Sequence, residues 1–207
     1  SLTIPNSVST IQAWAFASNR ISVLNFQAEC QLNEISLYCF ASNDIKTLSI
    51  PNSVLIINDG AFNNNINLNS VTFGANLLKI KRWAFAYCNL KSVSFPGSLI
   101  FIGRYAFNGN YNLNSFKLPV SAKNYKWNDS NGDKHNGGDI VTVYDYSYVA
   151  IIPYTLTDGD VRVTNGVIEN CSYFDEITHI GSVITIPDKL DGQTITGIGG
   201  GVFNDRG

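Results

Sequence analysis

Five phenylalanines, Phe16, Phe40, Phe62, Phe85 and Phe107, fall at intervals of 24, 22, 23 and 22 residues. An aliphatic residue stands five positions before each of them: Ile11, Ile35, Ile57, Ile80 and Ile102. Another stands eight before: Val8, Leu32, Val54, Leu77 and Leu99. The position directly before is small, Ala15, Cys39, Ala61, Ala84 or Ala106. A sustained period in the low twenties describes a solenoid, because no single repeat buries its apolar face until a neighbour stacks on it. That constraint sets the architecture and favours a binding role over catalysis.

Each repeat contains a short alternating run: ISVLNF at 21–26, IKTLSI at 45–50, LNSVTF at 68–73, LKSVSF at 90–95 and LNSFKL at 113–118. Alternation rich in β-branched and aromatic residues predicts a strand with one buried face. The inward pairs are then Leu24 and Phe26, Leu48 and Ile50, Val71 and Phe73, Val93 and Phe95, and Phe116 and Leu118. Pro5, Pro51, Pro96 and Pro119 come directly after such strands, where a residue without an N–H suits the end of a ladder. The remainder of each repeat is too short for a long helix. It is predicted to return as an irregular or 3-10 arm, with Ile and Phe plugging the core from the other side.

The position three beyond the phenylalanine holds Asn19, Asn43, Asn65, Cys88 and Asn110. A side chain of that kind can bond the backbone of a tight turn from inside the coil. Cys39 and Cys88 therefore read as reduced structural residues. Cys30 and Cys171 remain, and whether they pair is left open.

The period fails near Val120. Residues 120–155 carry two Gly-rich turns and aromatic-rich runs, and read as a β-rich insert or small β module. Residues 156–207 continue as short β segments, and VITIP at 183–187 with Ile195, Ile198 and Phe203 restarts the repeat. The expected organisation is thus a five-repeat solenoid over 1–119, the insert over 120–155, and a β segment with a second repeat block over 156–207. The chain contains no Met and opens within a motif, SLTIPNSV, so it reads as a piece of a longer protein.

The matching text IPNSVSTIQAWAF at 4–16 and IPNSVLIINDGAF at 50–62 resembles the BspA-like leucine-rich repeat family of bacterial surface proteins. The segment 184–203 looks like the longer first repeat of a new block. Repeat two departs from the pattern with QAECQ in place of the Pro–Asn–Ser turn, and repeat three has Gly74 in place of Pro. The resemblance implies a right-handed solenoid, export to the cell envelope, and adhesion to host proteins or neighbouring cells. It implies no catalysis and no cofactor. Residues 125–150 also resemble the end of a Listeria–Bacteroides repeat, a β-grasp-like module, in Trp127, Asn131–Gly132, Gly137–Gly138 and Tyr148 before Ala150. A decorated hairpin joining two solenoid blocks accounts for the same residues.

Charge and motif content exclude several function classes. Charged residues make up 14% of the chain and net charge is −2, with no basic run. A nucleic-acid partner would need a cationic stripe. No apolar stretch reaches bilayer length, and no secretory signal is present. His135 and His179 are the only histidines, and no Cys or His has metal-ligand spacing. Asp129, Asn131 and Asp133 alternate as calcium ligands do. Lys134 and Ile140 stand where an EF-hand needs Gly and Glu, so a hairpin turn on Asn131–Gly132 is the better reading. Asp158–Gly159 and Asp191–Gly192 read as turns. No serine or cysteine lies in a recognisable nucleophile turn.

Two surfaces remain as candidate binding sites. Outward strand positions form one row of Ser1, Val23, Thr47, Ser70, Ser92 and Ser115. A parallel row holds Thr3, Asn25, Ser49, Thr72, Ser94 and Lys117. Small hydroxyls are what β-propensity places on a solvated face. They can bond an extended partner but supply no aromatic or Arg anchor. The position two before each phenylalanine reads Trp14, Tyr38, Gly60, Trp83 and Tyr105, flanked by Arg82 and Arg104. Equivalent positions stack in a solenoid, so four aromatics form a stripe. It serves either as a contact site for a protein loop or sugar ring or as a self-stacked cover of the coil edge. The expected function is non-catalytic recognition of an extracellular protein. Polysaccharide binding or a spacer role is the alternative.

Overall fold

The computed structural model describes residues 1–120, 127–129, 133–143, 148–150, 153–155, 161–171 and 183–199. They divide into two compact units, Ser1–Ala150 and Ile151–Gly207. Secondary structure among the described residues is β-strand and turn, without helix, as the period and the alternation predict.

The first unit is a stack of coils. On one arm lie β1 (Leu2–Ile4), β2 (Leu24–Phe26), β3 (Thr47–Ser49), β4 (Ser70–Thr72) and β5 (Ser115–Lys117). On the return arm lie β6 (Glu34–Ile35), β7 (Ile56–Ile57), β8 (Lys79–Ile80) and β9 (Phe101–Ile102). Parallel register joins Ile35 to Ile57, Ile57 to Ile80 and Ile80 to Ile102. One step along the stack therefore equals one sequence repeat.

The core is the set of columns read from the sequence. Phe40, Phe62, Phe85 and Phe107 are buried, and with Phe16 their rings stack at centroid spacings of 5.4, 5.6, 5.3 and 5.6 Å. Leu32, Val54, Leu77 and Leu99 and the column of Ile35, Ile57, Ile80 and Ile102 complete it. The inward strand residues Leu24, Leu48, Val71 and Phe116 close the opposite side. The small column Cys39, Ala61, Ala84 and Ala106 is equally buried. Each of its carbonyls accepts the N–H of the preceding coil's phenylalanine, at 2.8–2.9 Å.

The turn asparagines do what their chemistry suggests. Asn65 Nδ2 donates to the Phe40 and Phe62 carbonyls at 3.0 and 2.9 Å, and its Oδ1 accepts the Ile45 N–H. Asn110 repeats the pattern on Phe85, Phe107 and Leu90, and Asn43 does so on Phe16, Phe40 and Ile21. Asn19, in the first coil, is exposed and donates only to the Ala17 carbonyl. Cys88 offers only thiol contacts, 3.4 Å to the Phe62 carbonyl and 3.8 Å to the Ala86 carbonyl. Leu68 N–H, which an asparagine here would accept from, turns instead to the Asn65 carbonyl. Cys88→Asn is expected to raise stability by about 1 kcal/mol, the net worth of an added buried hydrogen bond, readable as a higher thermal midpoint.

Cys30, Cys39 and Cys88 are free, buried thiols. Burial pushes the Cys39 and Cys88 thiols up to about 12 from an ordinary 9. The unfolded chain gives up these protons first, so their contribution to stability is complete below pH 9 and is lost as pH rises from 9 through 12. The slope is about 1.4 kcal/mol per pH unit per thiol. Cys39→Ala, which restores the column's usual residue, is expected to halve the thiol-linked slope in denaturant titrations across that window.

The structure departs from the sequence expectation on the strand arm. The strand arm carries no continuous sheet: β1 pairs with β2 and β3 with β4, but no ladder joins β2 to β3. Residues 92–94 form no strand at all. The return arm instead carries the unbroken ladder, through two-residue strands set between irregular turns. The return-arm coils are bonded at every step. That fixes their spacing at one side of the stack, and the strand arm keeps a parallel ladder only between β1 and β2 and between β3 and β4.

Further strands lie beyond the last coil. β10 (Trp127–Asp129), β11 (Lys134–His135), β12 (Ile140–Thr142) and β13 (Tyr148–Ala150) extend the same unit. β13 pairs antiparallel with β9, β10 with β13, and β11 with β10. β12 pairs antiparallel with β5. Both open strand edges of the final coil are thus covered, which removes an edge that would otherwise invite aggregation. Trp127 is buried in the core, its Nε1–H donating to the Pro119 carbonyl at 3.2 Å. The Asn131–Gly132 turn lies outside the described residues, although the antiparallel pairing of β10 with β11 flanks it.

In the second unit β14 (Pro153–Thr155) pairs parallel with β17 (Val183–Thr185), and β16 (Val167–Cys171) with β20 (Gly197–Ile198). Both registers step by 30 residues, from Pro153 to Val183 and from Val167 to Gly197. This unit therefore stacks longer turns. Two hairpins lengthen them: β15 (Val161–Thr164) with β16, and β18 (Lys189–Leu190) with β19 (Gln193–Thr194). Their turns, Asn165–Gly166 and Asp191–Gly192, have positive φ at both residues, as a two-residue type I′ turn requires. Phe203 and Asp158–Gly159 lie outside the described residues.

Candidate functional site

The turn around each phenylalanine alternates backbone handedness. Trp14, Tyr38, Gly60, Trp83 and Tyr105, two before the ring, have φ of 63, 48, 60, 56 and 60°. Ser18, Ser42, Asn64, Tyr87 and Gly109, two after it, have φ of 55, 55, 59, 55 and 72°. This alternation aims N–H groups at the next coil. Trp14 donates to the Leu37 carbonyl, Phe16 to Cys39 and Ser18 to Ala41, and the same three bonds recur at each later step.

Sequence reasoning missed these left-handed positions. The signal was present in Gly60 and Gly109, glycines standing in columns otherwise filled by larger residues.

A side chain in the first of these columns leaves the coil sideways, so it is neither core nor strand face. Trp14 is 56% exposed and stacks on Tyr38, centroids 4.4 Å apart and planes 14° from parallel. The Tyr38 ring covers Gly60, where an added Cβ would come within 2.2 Å of it. Trp83 and Tyr105, half-buried, stack at 6.2 Å. Exposed Arg82 lies 4.0 Å over the Trp83 ring, and exposed Arg104 lies 4.8 Å over Tyr105. The predicted stripe thus consists of two stacked pairs separated by Gly60, with a guanidinium on each ring of the second pair. Stacking and cation–π contact preorganise these side chains.

The strand rows are exposed as expected, including Thr47, Ser49, Ser70, Thr72, Ser92 and Ser94. Where the ladder between β2 and β3 is missing, a groove of about 620 Å³ opens, bordered by Asn25, Lys46, Thr47, Ser49, Ser70 and Thr72. Ser92 and Ser94 lie beyond it, on the stretch without a ladder. Among the described residues no three His, Cys, Asp or Glu side chains are grouped to hold a metal. No helix among them is long and apolar enough to cross a membrane.

The family model described as the BspA type leucine rich repeat region matches residues 1–44 and 33–128 in six copies. The chain belongs to this family. The BspA-type repeats cover the stacked coils and reach Trp127 of the cap. No curated protein matches the chain. Among solved structures, the pneumococcal vaccine antigen PcpA aligns over 95% of this chain and 49% of its own, at 18% identity and a TM-score of 0.57. A leucine rich cell surface protein from Faecalibacterium prausnitzii aligns over 97% of this chain and 57% of its own, at 20% identity and a TM-score of 0.46. The chain therefore spans about half the length of PcpA, and that likeness shows a shared fold.

Proposed function

We propose that this BspA-type chain is a non-catalytic recognition scaffold of the bacterial cell surface, binding an extracellular protein through the ridge of Trp14, Tyr38, Trp83 and Tyr105 with Arg82 and Arg104. One observation carries the reading. The ridge column needs a left-handed residue, glycine meets that need at least cost, and Gly60 demonstrates that the fold accepts it. Four of five coils place Trp or Tyr there instead, against a backbone cost of order 1–3 kcal/mol each. Aromatic rings and Arg are the residue types that dominate binding energy at protein interfaces. Membership of the BspA-type family agrees with this reading.

Contacts repeated along the stack act together, since each raises the effective concentration of the next. The groove over Thr47, Ser49, Ser70 and Thr72 is a second contact surface, suited to hydrogen bonds with extended chain rather than to anchoring. A screen of the purified chain against extracellular-matrix and host-surface proteins tests the proposal, run beside a variant with all four ridge aromatics changed to Ala. The variant is expected to weaken the best ligand at least a hundredfold while its circular dichroism is unchanged. Binding that persists in the variant moves the site to the groove. Binding that vanishes on deglycosylation of the ligand makes the ridge a polysaccharide site. Absence of any ligand favours a spacer.

A further inference from the structure

The opposite edge of the turn carries a second and chemically different feature. A cavity of about 280 Å³ opens at the last coil, beside Tyr111, whose side chain is 89% exposed. Its floor is Gly109, at φ 72°, over which the Tyr87 ring of the preceding coil lies. A Cβ at Gly109 would stand 2.5 Å from that ring. The Asn108 Oδ1 accepts the Gly109 N–H at 2.9 Å and holds the floor in place. Asn110 forms a fixed wall, since both its donor and its acceptor are engaged inside the coil. Leu113 and Val143 close the base, where the Val143 N–H bonds the Asn114 carbonyl.

The groups at the opening are polar, uncharged and unspent. The Asn114 side-chain amide and the Asn108 Nδ2 donors make no hydrogen bond among the described residues. Tyr111 and half-exposed Tyr87 add two aromatic faces. None of the lining residues among the described ones carries a charge. Among these residues an ionic ligand finds no counter-charge. A partner with hydroxyl groups on its rim and a C–H face finds amide donors and acceptors beside a flat ring. Binding cavities for small organic ligands start at about 300 Å³, so this one holds one or two rings rather than a long chain segment.

We infer that the cavity beside Tyr111 is a carbohydrate site that takes one or two rings of a neutral oligosaccharide, the sugar face stacking on Tyr111 and its hydroxyls bonding Asn108 and Asn114. This site is separate from the proposed protein-binding ridge. The intact chain would be tested on an immobilised panel of neutral and anionic oligosaccharides, with calorimetry on the best neutral ligand afterwards. Tyr111→Ala and Asn114→Ala alter exposed side chains and preserve the thermal midpoint. Each is expected to weaken binding at least tenfold, whereas Tyr111→Phe, which keeps the stacking face, stays within threefold of the original. The variant lacking the four ridge aromatics is expected to bind the sugar as the unaltered chain does, so loss of one site is distinguishable from loss of the other. Capture of no neutral glycan, preference for anionic glycans, or affinity indifferent to Tyr111→Ala overturns the assignment. So does a site that binds only a peptide through Tyr111.

Discussion

Phe62→Ala is expected to destabilise the solenoid by about 4 kcal/mol, within the range of Phe-to-Ala changes in closed cores. Phe62 is fully buried and stacked on both sides, 5.6 Å from Phe40 and 5.3 Å from Phe85. Removing it empties the centre of the column and severs the ring contact between the coils on either side. Aromatic pairs contribute about 0.5–1.5 kcal/mol beyond the area they bury, so the loss exceeds that of a comparable aliphatic. Coils communicate only through their neighbours. Chemical denaturation of the variant is therefore expected to show reduced cooperativity as well as a lower midpoint. Phe16→Ala, at the half-buried first coil, is expected to cost less than half as much. Equal losses at Phe16 and Phe62 would contradict a stack held by nearest-neighbour contacts.

Trp127→Ala is the second large effect, expected at about 3–5 kcal/mol from the size of the buried ring. Trp127 seals the last coil: it lies in the same core as Phe107, Phe116 and Val141, and its indole N–H satisfies the Pro119 carbonyl. Its strand is bonded to β13, which in turn covers the edge of β9. Without the ring, the expected consequence is exposure of the Phe107 and Phe116 end and of the β9 edge. Such an edge is a template for pairing with another chain. The variant should therefore bind a hydrophobic dye and form concentration-dependent oligomers, both measurable by fluorescence and light scattering. A monomeric variant with an unaltered midpoint would mean that the strands after residue 120 decorate the stack without closing it.

The core is legible in the sequence because its constraint is periodic. A buried column admits few residue types, so Phe, Ile, Ala and Asn recur at fixed offsets and name their own positions. The strand arm invites overreading for the opposite reason. Alternation in LKSVSF describes which side of a backbone is buried, whereas a ladder also needs a neighbour at bonding distance, and Ser92–Ser94 have none. Trp127 stands out in the sequence through its likeness to another module, which hides its role as a plug. The pairing of its cap with residues 101–102 and 115–117 is non-local and occurs once, so no period reveals it.

The ridge is legible as a column, but its cause is not. Trp14, Tyr38, Trp83 and Tyr105 point sideways because their backbone is left-handed. Only Gly60 among the five residues signals that conformation. The Asn165–Gly166 turn shows the same lesson on a smaller scale. An Asn–Gly pair between alternating runs is a strong hairpin mark, and it stands here between VRVT and VIENC.

The most direct test of the recognition account is oxidative footprinting of the chain with and without the strongest protein ligand from the screen. Protection is expected at Trp14, Tyr38, Trp83 and Tyr105, with Tyr111 labelled as before. Protection confined to the β2–β4 face, with all four ridge aromatics still labelled in the complex, would contradict the account.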